Sequence, residues 1–458
     1  MKQFSLPENL TSSLEPEAIV AEERLADFAV DGITPQGALK PKDRQATSEI
    51  MGWASSQRIT VFPRGGGTQL ALGNVPQEVG LVLDLSQQSR MLDYQPADLT
   101  ATVEAGITLG QLQRELAVGG KFLPIESPIA ETATIGGILA ANASGPLRYS
   151  QRQPRDWLIG ISVVGSDGTE TKAGGKVVKN VTGYDLNKLY TGSMGTLGVI
   201  VEATFKLSPS PAAHGVLVAR FPGTSQAIAA STKLLGQLFR PQGIQVIDGQ
   251  AAQHLDIEQG MLETLGTGEA LALAFFSGRP NAVQRQLEDT TNLLTEGGST
   301  GGRSIEVATL NEAQGHSLTK SVCDLGWSPD TQPYLSIKAN LPPSVLSAVI
   351  DRCLQESNLG LPPGVLADPG FGQVRLFWWA GSVSDWLDDG AVLQAILKIR
   401  GIVREAGGNT LVEFCPLTLK KEIDVWGDQP GGMDVMHRLK QKFDPLGIMS
   451  PGRFVGKI

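Results

Sequence analysis

Between residues 79 and 206, short runs of alternating apolar and polar positions are separated by glycine, and a two-residue period predicts strands. In VGLVLDLS, Val79, Leu81, Leu83 and Leu85 take every second place, as a half-buried strand requires. The strand TATVEAG runs into TLGQLQRELAVGG, where the period lengthens. Leu109, Leu112 and Leu116 form a helical stripe, Thr108 and Gln111 have capping-box spacing, and Gly119 or Gly120 ends the helix. LIGISVVGSDGTETKAGG predicts a hairpin turning at Asp167 and Gly168.

SPSPAAHG, residues 208–215, marks a boundary after which the pattern changes. Strands at GVLVARF, GIQVID and ALALAFF are interleaved with helices over about 225–239 and 281–295. PYLSIKAN, GQVRLFWW and NTLVEF then alternate with helices near 344–357 and 391–406. Strand, helix, strand, strand, helix, strand is the ferredoxin-like order, so 211–425 reads as one α+β domain, with 297–330 only weakly patterned. In the tail, GGMDVMHRLKQKFDPLGIMSPGRF, a short helix carries Met436, Leu439 and Phe443 on one face. It ends at Asp444 and Pro445 and gives way to an irregular Pro-Gly-Arg segment. The expected division is an N-terminal extension (1–30), a glycine-rich domain (31–210), the α+β domain (211–425) and a C-terminal segment (426–458).

A chain of 458 residues suggests two or three domains. Its 41% hydrophobic and 19% charged residues are those of a folded protein. A net charge of −9 argues against a nucleic-acid partner. Cys323, Cys353 and Cys415 are widely spaced, which signals neither a disulfide framework nor a zinc ribbon and fits a reducing cytoplasm. No signal-peptide pattern opens the chain, and no run approaches the ~18 apolar residues of a membrane span, so a cytoplasmic chain is expected.

Glycine is the anomaly: 54 residues, concentrated in the first half. VFPRGGGTQLALGN sets three in a row between Arg64 and Thr68, with further clusters at TIGGILAANASG and GSMGTLGV. ETKAGGKVV fails the P-loop pattern, having Glu170 at the first glycine position and Val177 after Lys176. GSMGTLG fails the Rossmann pattern, because a strand-like run follows it. What remains is a glycine loop between strands, either a tight turn or a nest of bare amides that binds an anion with Arg64 beside it.

The ordered set PRGGGTQLALG, ATIGGILAANASGPLR, RDWLIGISVVGSDG, KNVTGYDLNKLYTGSMGTLGVIVEATFKL and FDPLGIMSPGRF resembles the FAD-binding oxidoreductases of the vanillyl-alcohol oxidase type. GGKVVKNVTGYDLNKLYTGSMGTLGV and KKEIDVWG are most similar to the E-subunit group of bacterial glycolate oxidases. The resemblance implies an FAD domain of the p-cresol methylhydroxylase type, built of two α+β subdomains at 31–210, then a ferredoxin-like cap, with the tail returning to the FAD domain. It implies a pyrophosphate loop from Arg64 through Gly65, Gly66 and Gly67 to Thr68. Thr134, Gly136 and Gly137, with Asn142 and Ser144, would line the phosphates and flavin edge, and Gly195, Gly198, Val199 and Ile200 would meet the cofactor by backbone. The family's terminal Asn-Pro-Gly-Arg reads Ser450, Pro451, Gly452, Arg453 here.

Covalent relatives carry a histidine at the first loop. His214, His254, His316 and His437 all lie elsewhere, so non-covalent FAD is expected. The histidine-rich motif of 2-hydroxy-acid dehydrogenase caps is absent, and no catalytic base is identifiable. His254, His316 and His437 read as surface residues, Trp378 and Trp379 as core or interface, and Cys415 as a small buried hydrophobe. Arg375 is either a carboxylate anchor or a strand arginine facing solvent or an acidic neighbour. The resemblance implies a subunit acting on glycolate or D-lactate with a catalytic flavoprotein and an iron–sulfur subunit, in the cytoplasm or held at a membrane through a partner. A self-sufficient dehydrogenase and a flavin-binding assembly protein are the alternatives.

Overall fold

A computed structural model describes residues 6–7, 10, 14–175, 185–237, 239–255, 265–266, 268–296, 305–356, 359–360, 362–379 and 388–458. The KVVKNVTGY part of the family motif, 176–184, lies outside the described residues. The chain forms two compact units. One comprises Met1–Ser144, Gln153–Ser210 and Asp424–Ile458, and the other Gly145–Arg152 and Pro211–Ile423.

In the first unit, β1 (Gly37–Leu39), β2 (Val61–Arg64) and β3 (Leu81–Asp84) form a parallel sheet in the order β1-β3-β2. The helix Arg44–Gln57 links β1 to β2. Asp43 caps it by accepting from the Ala46 N–H, and Arg58 ends it in the left-handed conformation. Ile50, Met51 and Ala54 from that helix join Leu81 and Leu83 in one core. Val82 packs with Phe28, Val30 and Phe62 on the other side. The strand expected at 79–85 is therefore buried on both faces rather than half-exposed, because it is the middle strand of a parallel sheet covered twice. Leu10, Leu14, Ala18 and Phe28 also lie in these cores.

β4 (Met91–Gln95) and β5 (Thr100–Glu104) open an antiparallel sheet. After the short β6 (Lys121–Phe122), β7 (Leu158–Val164), β8 (Glu170–Gly174) and β9 (Val199–Lys206) complete it in the order β4-β5-β9-β7-β8. β10 (Ser208–Pro209) pairs with β6. β7 and β8 form the expected hairpin, with Gly168 at φ 85° in its turn. The helix Leu109–Ala117 buries Leu109, Leu112 and Leu116. Thr108 accepts from the Gln111 N–H, but the Gln111 amide reaches Ser89 and Glu115 instead of returning to Thr108, so only half a capping box forms. The tail joins this unit through β2: Val61 donates to the Ile448 carbonyl at 2.7 Å and accepts from the Ser450 N–H at 2.9 Å.

The second unit is one eight-stranded antiparallel sheet of β11 (Ala213–Phe221), β12 (Gly243–Asp248), β13 (Ala270–Gly278), β14 (Glu306–Leu310), β15 (Leu335–Asn340), β16 (Gly364–Asp368), β17 (Gln373–Trp378) and β18 (Asn409–Phe414). Its order, β14-β11-β13-β12-β16-β17-β15-β18, is two ferredoxin-like repeats joined edge to edge where β12 pairs with β16. Helices Thr224–Leu235 and Pro280–Glu296 serve the first repeat, and Leu346–Glu356 and Asp389–Glu405 the second. The weakly patterned stretch supplies the edge strand β14 and the helix Glu312–Asp324.

The repeat junction is tied by a buried carboxylate. Asp248 accepts from the N–H groups of Ala251 and Val365, each at 2.9 Å, which joins the end of β12 to β16. Burial pushes the Asp248 pKa up to about 7 against the partial opposition of these bonds. The fold then holds a proton that the unfolded chain releases above about pH 4, so this group's contribution to stability falls as pH rises from about 4 to 7. Asp248→Asn keeps the acceptor oxygen and removes the titration. The urea stability of the wild type is expected to fall relative to the variant by on the order of 1–3 kcal/mol across that window. A difference between the two proteins that does not vary with pH would contradict the assignment.

Candidate cofactor site

The first unit contains a cavity of about 950 Å³, counted to its open mouth, and three glycine clusters line it. The first is the loop after β2, with Arg64, Gly65, Gly66, Gly67 and Thr68 all in the wall. A Cβ on Gly65 would overlap the Thr134 hydroxyl, and one on Gly66 would overlap the Thr132 carbonyl. Gly67 has φ +72°, where a side chain is strained. The glycines are thus required by the protein's own turn at 132–134. None of the N–H groups of residues 65–68 donates to another group among the described residues.

Arg64 donates through Nη1 to the Asp27 carbonyl at 3.0 Å and lies 4.6 Å over the Phe28 ring, while its buried Nε has no partner. Four adjacent free amides and an orphaned guanidinium nitrogen, in a loop that carries no carboxylate, form a site for an oxyanion.

Thr134, Gly136 and Gly137 come from the second cluster and also line the cavity. Thr134 caps the helix Ile135–Ala141 by accepting from the Gly137 N–H at 3.4 Å, and the Gly136 N–H is taken by the Ala105 carbonyl at 2.7 Å. Those glycines offer a bare floor in place of donors. Asn142 and Ser144 lie outside the lining. Asn142 ends the helix at φ 50° and donates to Gln153 at 3.3 Å, and its buried Oδ1 has no partner. From the third cluster, Gly195, Gly198 and Ile200 line the cavity, whereas Val199 points into the core beside Leu81 and Leu83.

Sequence patterns pointed less clearly to the residues that hold this wall. Ser450 and Arg453 line the cavity from the tail. The buried Arg453 guanidinium pairs with Asp31 and donates to the Asn74 carbonyl at 2.6 Å and the Leu70 carbonyl at 2.5 Å. It thereby fixes the run that follows the glycine loop. Lys440 donates to the Thr196 carbonyl at 2.8 Å and the Met449 carbonyl at 2.7 Å, with Asp444 as counter-ion at 2.8 Å. Burial lowers its pKa and Asp444 opposes the shift. Breaking such a buried pair by removing one partner costs ~3–5 kcal/mol. The signal was present: Lys440 falls four residues after Met436, inside the helix's apolar stripe.

In the second unit, Arg375 bonds Glu413 through Nε at 3.0 Å, so the acidic neighbour exists. Trp378 and Trp379 are core residues, and Cys415 is half-buried just past β18. His254 was expected at the surface. It is half-buried and stacks on Trp379 at 3.7 Å, and burial lowers its pKa. His316 and His437 are exposed.

The loop of free amides, the apolar cavity and the sheet pair around it make a site suited to a phosphate-bearing cofactor. Residues 35–174 match the model of an FAD binding domain, and 420–454 that of the C-terminal domain of FAD linked oxidases. Glycolate oxidase subunit GlcD of Bacillus subtilis is 26% identical, covering 99% of this chain and 96% of that protein. D-lactate dehydrogenase of Archaeoglobus fulgidus is 27% identical over 97% and 95%. The solved structure of p-cresol methylhydroxylase superposes at TM-score 0.74 over 97% of this chain and 95% of that one, at 15% identity. The chain is an FAD-dependent oxidoreductase with an FAD binding domain and an FAD-linked oxidase C-terminal domain, and its fold is that of p-cresol methylhydroxylase.

Gly66→Ala is expected to yield folded protein with little or no flavin, since the added methyl displaces either the loop or the 132–134 turn. Gly401→Ala, in the helix Asp389–Glu405 with open space around it, serves as the control and should keep full flavin content. The ratio of visible to 280 nm absorbance decides. Equal flavin in both variants would refute the role of the loop.

Proposed function

We propose that the protein takes part in oxidising a small 2-hydroxy acid, glycolate or D-lactate, as the FAD-binding subunit of a glycolate oxidase-like complex. The observation that carries this reading is the free-amide loop inside an FAD-type cavity, in a chain whose full-length relatives are named for glycolate and D-lactate. A D-2-hydroxyglutarate dehydrogenase of Stutzerimonas stutzeri, 25% identical over 92% of this chain and 90% of that protein, extends the same substrate chemistry. The E-subunit character rests on the motifs at 174–199 and 420–427.

The N–H groups of 65–68 would hold the diphosphate, with Arg64 Nε completing the shell. Gly136 and Gly137 would let a flat ring system lie against the floor, and Gly195, Gly198 and Ile200 would meet it by backbone. Phe62, Leu85 and Ile138 give the cavity apolar walls. FAD, when bound, supplies the two-electron acceptor for hydride from the substrate carbon. Among the described residues no histidine lines the cavity, which supports non-covalent attachment.

No helix among the described residues is long and apolar enough to cross a membrane. A catalytic flavoprotein and an iron–sulfur subunit are the proposed partners, and they would supply any membrane contact of an otherwise cytoplasmic chain.

Anaerobic addition of glycolate or D-lactate to the purified flavoprotein is expected to bleach its visible bands, and acid precipitation to leave a colourless pellet. If only the complex with its partner subunits is reduced, catalysis resides in the assembly. Bands that persist in both settings would overturn the reading.

A further inference from the structure

One face of the second unit's sheet is divided along its length. Ile247 on β12, Leu366 on β16 and Phe377 on β17 belong to an apolar core. Two residues along each strand on the same face stand Gln245, Asp368 and Arg375, and Lys338 lies directly opposite Arg375 on β15. Glu413 of β18 reaches into this group, bonding Arg375 at 3.0 Å and accepting from the Ser336 hydroxyl at 3.3 Å. Gln245 donates to Asp368 at 3.2 Å.

The carboxylates are thus occupied, and one cation is left over. Lys338 is half-buried, and its ammonium has neither an ion-pair partner nor a hydrogen bond among the described residues. Arg375 uses only Nε within the protein, so its two Nη groups are open beside Lys338. Burial, and then the charge of Arg375, pull the Lys338 pKa down to about 8. Glu413 opposes this, and Arg148 adds to it. Burial pushes Asp368 up to about 6. A half-buried ammonium without a counter-ion is costly unless an anion arrives. An ammonium beside an open guanidinium edge suits a planar anion with two oxygens.

We propose that Lys338, with the open edge of Arg375 and with Glu413 holding that arginine in place, is the anchor of a small-carboxylate site on this face of the second unit. The assignment rests on the reading of a 2-hydroxy acid as substrate, and it shifts the anchor from Arg375 to the lysine opposite it. Arg375 is a positioning partner that shares the anion.

The test uses oxalate, which has two carboxylates and no oxidisable hydroxyl, titrated calorimetrically into the flavin-loaded full chain. Lys338→Met should weaken binding at least about tenfold, the loss of one charge-assisted contact, and Lys338→Arg should restore most of it. In the wild type, affinity should fall about tenfold between pH 7 and 9 as Lys338 loses its proton, while the Arg variant stays flat. Should Lys338→Met fail to fold, the wild-type pH profile and the Arg variant still decide. Unchanged affinity in Lys338→Met, no pH dependence, or no oxalate binding at all would overturn the site. Oxalate held by Lys338 in a protein whose flavin no hydroxy acid bleaches would sink the substrate reading and leave the anion site standing. Bleaching by glycolate with no effect of Lys338 on oxalate would do the reverse.

Discussion

The close approach of the turn at 132–134 to the loop at 65–67 is the constraint on which the cofactor site depends. Two neighbouring positions, 65 and 66, have no room for a Cβ, because the Thr134 side chain occupies the space at one and the Thr132 carbonyl the space at the other. The N–H groups of this tightly held loop make no bond to the protein among the described residues, which leaves them available to an anion. Protein-to-protein contact on one side of the loop and ligand contact on the other are two consequences of the same packing. The glycines therefore answer first to the protein and only through it to the cofactor.

A buried arginine and a half-buried lysine in the last twenty residues secure the rest of the wall. Arg453 gathers carbonyls from 70–74, and Lys440 gathers those of Thr196 and Met449. Each is a fixed donor in a place shielded from water, where an unsatisfied carbonyl would be expensive. The tail thus acts as a brace behind the glycine loops. This explains why the Pro-Gly-Arg ending belongs to the same pattern as motifs near the start of the chain. The first-unit cavity and the charged sheet face of the second unit divide the proposed chemistry into a place for the electron acceptor and a place for an anion.

Much of this was legible in the sequence wherever cause and effect lie close together along the chain. The helix 109–117, the hairpin at Gly168 and the glycine loops follow from local periodicity and turn chemistry. β14 was not visible, because an edge strand half in solvent carries little apolar pattern. β16 was missed because its five residues, GVLAD, form a short apolar run that periodicity cannot assign. The braces were hidden for another reason: Lys440 meets Thr196 across 244 residues and Arg453 meets Leu70 across 383. At Asn142 the family resemblance implies a cofactor contact, while the left-handed backbone that ends a helix there shows only in the structure.

In the proposed site, the free amides at 65–68 would make the diphosphate the main handle on the cofactor. Titrating flavin-free protein with FAD and with riboflavin, which shares the ring system and lacks the diphosphate, tests it most directly. FAD should bind at least a hundredfold more tightly, the equivalent of about two charge-assisted hydrogen bonds. Comparable affinity for the two would show that the ring carries the binding and that the loop does not hold the diphosphate.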